Sequence, residues 1–548
     1  RLQYNQIGAV VPRGRFTWNG QYSNSPMADF LIGYMSNSES QIGAPIASFR
    51  QSYYALYIQD SWKVTPRLTV NMGLRWEAEP PYLDKHDAIV NIDYVWDNSH
   101  EPIFVRAGTG DLLEGNPKFP VGAPFKLVRD GRFGRRAYKS DWNDFAPRLG
   151  VAFQATDKTV IRTGAGIYYV RDISNSVFDI VRNIPFTIRQ NEVANSTAPN
   201  LSWARPFTQT GAPTFILANQ FGEPTSYVGQ WSFGVQRQMT KDSSLEVTYI
   251  GSAGVHLRRL QVYNSAPPGP GATNSRRPFT YLNGNIQTMT APVHSTYHAL
   301  HMRFQHRLAY GFTLLSSYAY GKSIDNGSGV RTTDGDALTP SNNYNLRAER
   351  GLSAFDFRHR WTTSFLYELP FGKGKRWMGS ANPVANGILG GWQLGGIFTI
   401  QSGFPVSIYC GPGNWQNNDT TCYADATGIN PDLPSDQRGP SRWFNLDAFV
   451  NRLGFANNQA NLVTNYRYGN AGRNVLIGPR IVGLDASVSK NWRITEQSRV
   501  EFRGEFFNLP NHPIFGQPNT SPGSPTYGVI GGTRVDPRDI QLALKVIF

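Results

Sequence analysis

The sequence predicts an all-β chain, an antiparallel transmembrane β-barrel wall, and three observations carry that expectation. Strand-sized stretches alternate apolar and polar residues, short turns join them in pairs, and long irregular connections separate the pairs. Composition agrees: aromatics are 13% of 548 residues, with 54 Gly and 36 Pro, a mixture that suits many strands and turns and few helices. No stretch reaches the roughly 18 consecutive apolar residues of a membrane helix, and mean hydropathy is −0.39. That test does not detect a membrane strand, which needs only about 10 residues with every second one facing lipid.

In chain order, a first strand is expected near 14–20. Five hairpins then stand out: 53–63 with 68–77, 147–154 with 160–170, 227–239 with 245–250, 296–308 with 312–322, and 481–494 with 500–509. Their turns are Val64-Thr65-Pro66, Thr156-Asp157-Lys158, Lys241-Asp242-Ser243, Ala309-Tyr310-Gly311 and Thr495-Glu496-Gln497. A sixth hairpin, 361–369 with 392–401, has a longer basic linker containing Gly372-Lys373-Gly374-Lys375, and a lone strand at 539–548 closes the chain. The sum is about fourteen strands. Short turns belong on the periplasmic side and long loops outside, so the last strand runs downward and Phe548 ends at the periplasmic face. The spacing of first strands is too irregular for propeller blades.

Alternation sorts each strand into two faces. Val500, Phe502, Gly504 and Phe506 share one face and Glu501, Arg503 and Glu505 the other; Leu68, Val70, Met72, Leu74 and Trp76 likewise oppose Arg75 and Glu77. Arg75, Glu77, Glu501, Arg503 and Glu505 are therefore the lumen-facing polar candidates. A soluble sandwich would alternate in the same way. Aromatics at strand ends favour lipid, because Trp62, Trp76, Tyr168, Tyr169, Tyr318, Tyr320, Trp361, Trp392 and Trp492 fit interfacial girdles.

Other features narrow the function classes. The start, Arg1-Leu2-Gln3-Tyr4, carries neither an initiator Met nor a leader and reads as that of a fragment or processed product. Cys410 and Cys422 lie in a Gly/Asn/Pro-rich stretch that suits a loop disulfide in an oxidising compartment. The net charge of +14 is dispersed, with no basic run of the kind that binds nucleic acid, so no nucleic-acid partner is expected. His294, His298, His301 and His306 do not converge, because His298 and His306 face opposite to His301 on a strand. Asp325-Asn326-Gly327 and Asp334-Gly335-Asp336 fall short of a calcium ligand count. Gly251-Ser252-Ala253-Gly254 does not fit a nucleophile elbow. The expectation is no metal, no cofactor and no catalytic residue: a binding and transport protein.

The C-terminal segment looks like the assembly signal of outer-membrane proteins. Phe548 ends it, and Val546, Leu544, Leu542 and Ile540 occupy alternate positions before it. An apolar face with an open hydrogen-bonding edge suits recognition by a barrel-assembly machinery. Further stretches resemble the TonB-dependent receptors of the Oar-like group, whose members often carry a carboxypeptidase-regulatory-like domain. They are Ala28-Asp29-Phe30-Leu31-Ile32-Gly33, the run from Tyr57 to Glu77, Leu369-Pro370-Phe371-Gly372-Lys373-Gly374, Gly390-Gly391-Trp392-Gln393, and the run from Phe506 to Pro513.

The resemblance implies that 1–548 is the C-terminal part of a plugged barrel of about 22 strands. The plug, the TonB-contacting segment and the regulatory-like domain find no match. It further implies outer-membrane lipid and lipopolysaccharide as surroundings, a TonB energy complex acting through the plug, and capture of an unknown scarce solute. The loops 83–146, 171–226 and 403–480 would supply recognition, with carbohydrate, peptide or metal chelate as candidate ligands. A passive porin or structural outer-membrane barrel, and a secreted soluble all-β carbohydrate-binding protein or enzyme, are the rival readings.

Overall fold

The computed structural model describes residues 11, 13–43, 47–115, 125–170, 178–194, 198–207, 216–282, 284–309, 311–330, 336–410, 419–450 and 466–548. One sheet of fifteen strands dominates them, and two short members, Ile216–Asn219 and Gly351–Leu352, lie off its main path. The remaining thirteen follow one another in chain order as an antiparallel meander. They are β1 Tyr54–Thr65, β2 Leu68–Ala78, β3 Asp144–Thr156, β4 Thr159–Tyr169, β5 Tyr227–Gln238, β6 Ser243–Tyr263 and β7 Ile286–Ala309. β8 Phe312–Asp325, β9 His359–Glu368, β10 Trp392–Gln401, β11 Ile481–Arg493, β12 Arg499–Phe507 and β13 Asp539–Ile547 complete the path. All six hairpins and the last strand expected from the sequence are in this wall. Its first and last strands, β1 and β13, run the same way and are not paired with one another.

The expected fourteenth strand is not in the wall. Only Arg15–Thr17 is extended there, and it pairs with Asn37–Ile42, which in turn pairs with Ile188–Val193 of a loop. Three residues are far too few for a membrane strand of about 9–11; the segment belongs to a small sheet beside helix α1, Pro26–Ile32.

Register shows why the meander holds one face to lipid. Between β2 and β3, Leu68 faces Phe153, Val70 faces Val151, Met72 faces Leu149, Leu74 faces Pro147 and Trp76 faces Phe145. The same parity continues through Thr163, Phe233, Tyr249, Leu300 and Tyr320 to Trp361 and Ile400. It ends on Phe502 beside Leu544. Phe233, Leu149 and Leu544 are among the exposed large apolar side chains of the chain, as expected where hydrocarbon is the solvent. Trp231 lies over Gly251, where a Cβ would meet its indole ring; an aromatic covering a strand glycine keeps this face continuous.

Strand length shows where the wall leaves the membrane. Eleven strands have 9–14 residues, but β6 has 21 and β7 has 24. At about 3.3 Å per residue, β7 is far longer than a roughly 30 Å hydrocarbon core requires. From the sequence these strands are expected to end at 250 and to begin at 296; Gly251 and Pro292 lie beyond those bounds, and Gly and Pro weaken strands. In the structure, register shifts at Gly254, Leu257 and Arg259 absorb the interruption and pairing resumes. The upper halves are clad in protein: Leu260, Val262, Tyr263, Ile286, Met289 and Val293 are buried.

The buried core therefore sits in the extracellular connections. One apolar cluster joins Phe49, Tyr82, Ile89, Phe104, Ile180, Ile184, Leu217 and Tyr263, and a second joins Ile408, Phe444, Phe449 and Leu476. Short strands stiffen the first, Val90–Asp93 pairing with Ile103–Arg106 and that strand with Leu127–Val128. Ile216–Asn219 pairs in parallel with β7. At the opposite, periplasmic end, the linker after β9 contains an unanticipated helix, α2 Pro383–Leu389, opened by Asn382 as N-cap with Pro383 in its first turn.

Candidate functional site

The face opposite the lipid-facing residues bounds the lumen, and the sequence-predicted polar residues lie on it in two separate groups. On β2, Arg75 pairs with Glu77, and Tyr53 bridges both: its hydroxyl donates to Glu77 Oε2 at 2.9 Å and accepts from Arg75 Nη2 at 2.7 Å. On β12, Arg503 lies 2.8 Å from Glu501 and 3.8 Å from Glu505, and Glu501 faces Lys545 of β13. β2 is second from one end of the sheet path and β12 second from the other, so no strand pairing brings the groups together. Each group is satisfied along its own strand, by charges two residues apart that share a face.

Sequence reasoning missed an open part of the lumen face. Gly73, Gly150, Gly164, Gly166 and Ser232 share one parity on four neighbouring strands and leave a concavity of about 480 Å³. Arg148 and Tyr168 overhang it, the guanidinium 4.5 Å from the ring centroid. Tyr168 therefore belongs to the lumen and not to the lipid girdle expected for it; its neighbour Tyr169 holds the lipid parity. Alternation gave the signal: adjacent residues of a strand cannot both face lipid. A second concavity of about 360 Å³ is lined by Glu246, Thr248, His301, Arg303, Arg360 and Thr362 of β6, β7 and β9. Small residues beside fixed hydrogen-bonding groups give polar walls with room for a solute.

The histidines separate as their parity requires. His301 is on the lumen face, while His298 on the lipid face meets the Tyr249 hydroxyl at 2.7 Å and His306 meets Ser243 at 2.8 Å. Among the described residues, no group of three His, Cys, Asp or Glu side chains is placed to hold a metal ion. Asp334 and Gly335 lie outside the described residues. Asp325 and Asp336 face an internal cation, the guanidinium of Arg473.

That guanidinium is the central bond of the extracellular cover. Arg473 is fully buried, with Asp325 on one side and Asp336 at 2.9 Å on the other. It also donates to the Asp325 carbonyl at 2.8 Å, Ser328 Oγ at 3.1 Å and the Glu349 carbonyl at 2.8 Å. One side chain from the loop before β11 thus ties the end of β8 to the connection that follows it. Beside it, burial pushes the Glu349 carboxyl up, and burial with Glu349 nearby pushes the Tyr423 phenol well up. The two share a hydrogen bond at 3.2 Å.

Two buried asparagines do comparable work in the first cluster. Asn91 Nδ2 donates to the carbonyls of Ala137 at 2.8 Å and Asn219 at 2.9 Å, and its Oδ1 accepts from Asn219 N at 2.9 Å. Asn183 Nδ2 donates to the Val90 and Leu217 carbonyls at 2.7 and 2.6 Å. These amides satisfy the free edge of Ile216–Asn219, whose other edge is on β7. Replacing Asn91 by Leu is expected to destabilise the cover by about 2–4 kcal/mol, since it strands several buried backbone groups. Faster amide exchange at Ala137 and Asn219, with the wall unchanged, checks it.

Cys410 and Cys422 are joined by a disulfide, their Cα atoms 5.4 Å apart and 12 positions apart in sequence. Asp419 nearby bonds Arg277 and Asn285, each at 2.6 Å, linking this loop to the β6–β7 connection. Changing both cysteines to serine is expected to remove up to about 3 kcal/mol of loop stability by the chain-entropy argument. Protease sensitivity confined to 403–480 is the readout.

On β13, Ile540, Leu542, Leu544 and Val546 carry the lipid parity opposite Phe506, Gly504, Phe502 and Val500, and Phe548 is almost fully exposed.

Comparison with known proteins places this geometry. Residues 1–541 match the family described as "Outer membrane beta barrel domain". No curated protein matches the sequence. Among solved structures, the outer membrane transporter YddB from Escherichia coli is similar at 11% identity and a TM-score of 0.44, over 93% of this chain and 55% of that one. The siderophore receptor PiuA from Acinetobacter baumannii is similar at 9% identity and a TM-score of 0.41, over 94% of this chain and 44% of that one. The chain thus spans about half the length of these structures.

Proposed function

The chain belongs to the outer membrane β-barrel domain family and resides in the cell outer membrane, and from that premise we propose that it is the C-terminal wall of a TonB-dependent receptor of the Oar-like kind. On this reading the complete protein binds a scarce, large solute outside and moves it through the lumen, using energy delivered by TonB to a plug and breaking no bonds itself. The family excludes the secreted soluble alternative. The observation that carries the proposal is the cover: extracellular connections with two apolar cores of their own, and with Arg473 tying 325–349 to the loop before β11, cap a wall whose lumen face is polar and lined by small residues.

Among the described residues the sheet path holds thirteen strands, against about 22 in a plugged transporter barrel. β1 and β13 run the same way, so only an odd number of added strands closes the wall antiparallel throughout.

Ile540, Leu542, Leu544, Val546 and Phe548 act in this reading as the handle for barrel assembly. Replacing Phe548 by Gly is expected to lower the folded, heat-modifiable fraction in the outer membrane without altering synthesis, checked by pulse labelling and unheated gel mobility.

The test of transport is uptake by cells carrying the full-length protein, offered labelled oligosaccharides, peptides and ferric chelates with and without a working TonB complex. Saturable uptake of one class that stops without TonB is expected. Uptake proportional to concentration and indifferent to TonB would establish the rival reading, a passive porin.

A further inference from the structure

Helix α2 sits where lipid should be. Trp392, Lys490 and Trp492 share the parity of Leu394 and Val488, and therefore face outward at the periplasmic end of β10 and β11. All three reach α2: Trp492 Nε1 donates to the Gly387 carbonyl at 2.6 Å, Trp392 Nε1 to Ile388 at 2.9 Å, and Lys490 Nζ to Ile388 at 3.0 Å and to Gly390. The Lys490 ammonium is fully buried, 5.2 and 5.3 Å from the two indole centroids. Among the described residues, no carboxylate pairs with it. Carbonyls at a helix C-terminus and two aromatic faces are the groups that let a cation stand on a lipid-facing surface.

The helix turns its apolar side away from these contacts. Val384, Ile388 and Leu389 are exposed, with Trp377 and Met378 exposed in the adjoining turn. That turn is bound to the helix: Lys373 N donates to Asn386 Oδ1 at 2.7 Å, and Gly372, at φ +114°, lies so close to Gly390 that a Cβ would overlap it. Lys375 is held by Glu368 at 3.0 Å, while Lys373 and Arg376 are exposed.

We propose that α2 and its turn form an anchor in the periplasmic leaflet of the outer membrane, Val384, Ile388 and Leu389 entering the acyl boundary while Lys373 and Arg376 hold the phosphates of anionic phospholipid. Amphipathic segments with aromatics at the boundary and cations beyond it bind membranes in this way. The helix is held on the outward face of the wall by Trp392, Lys490 and Trp492, and the exposed charges match an anionic headgroup. The inference rests on the membrane reading of that wall.

The test uses the full-length protein reconstituted in vesicles of phosphatidylethanolamine and phosphatidylglycerol, labelled with an environment-sensitive fluorophore at Val384→Cys or, separately, at Phe233→Cys in mid-wall. Both labels should be quenched by brominated acyl chains and spared by aqueous iodide. Quenching at Phe233 but iodide access at Val384 overturns the anchor alone. A Val384 label shielded from both quenchers also overturns it, in favour of a covering protein. Failure of acyl-chain quenching at both positions removes the membrane reading and the anchor together. Phosphatidylglycerol affinity, read by native mass spectrometry, should fall about tenfold or more in K373E/R376E; unchanged retention overturns the headgroup assignment.

Discussion

Replacing Arg473 by alanine should unfasten the extracellular cover, at an expected cost of about 3–5 kcal/mol, because it leaves buried carboxylates without their cation. Asp325 and Asp336 are themselves almost fully buried, and the arginine also satisfies two carbonyls and Ser328. Lysine should rescue little, since a single ammonium cannot repeat the planar fork that reaches all five acceptors. Hydrogen exchange provides the measurement: amides near Leu352, Ser407 and Asn474 should open early, while those of β2 to β5 keep their protection. Asn474 binds Ser407 and the Leu352 carbonyl and so lies in the path of the failure. Unchanged exchange at these amides would show that the loops are held by their apolar clusters alone. Wild-type solute binding by the opened variant would detach the cover from recognition.

The wall was legible in the sequence because its two governing patterns are local. Alternation with period two marks each strand, and polar or Gly-containing turns such as Lys241-Asp242-Ser243 mark each hairpin, so all six pairs could be read without a partner in view. What escaped depends on distant contacts. The runs around Ile89 to Ile92, Phe104 and Leu217 read as pieces of recognition loops, yet they are the interior of the cover and unavailable to a ligand. On the transport reading, exposed Trp203, Tyr344 and Phe355 remain as side chains a solute can meet. Similarly, Asp325 and Asp336 invited a metal reading that only Arg473, 148 and 137 positions away, resolves. The lumen trough was hidden for another reason: a glycine is informative on one face only once register aligns it with glycines of other strands.

Exchanging Phe233 for Arg and, separately, its neighbour Ser232 for Arg should divide the two faces of β5 by energy. The residues are adjacent near the middle of a 12-residue strand, so depth, backbone and added charge are nearly the same. Phe233 lies between Thr163 and Tyr249 on the lipid parity, whereas Ser232 lies between Gly164 and Ile250 and borders the lumen concavity. An Arg at the hydrocarbon midplane costs about 2–4 kcal/mol, while one that extends into a hydrated lumen should cost about 0.5 kcal/mol or less, as at an ordinary surface. Reversible urea unfolding in lipid vesicles measures both. The Ser232 backbone carbonyl accepts from Thr163 Oγ1 at 2.9 Å, and a side-chain substitution leaves that bond in place. A large loss at 233 with almost none at 232 follows only if hydrocarbon touches one side chain and water the next. Equal losses would mean that both faces are packed against protein, a result the transmembrane wall does not survive.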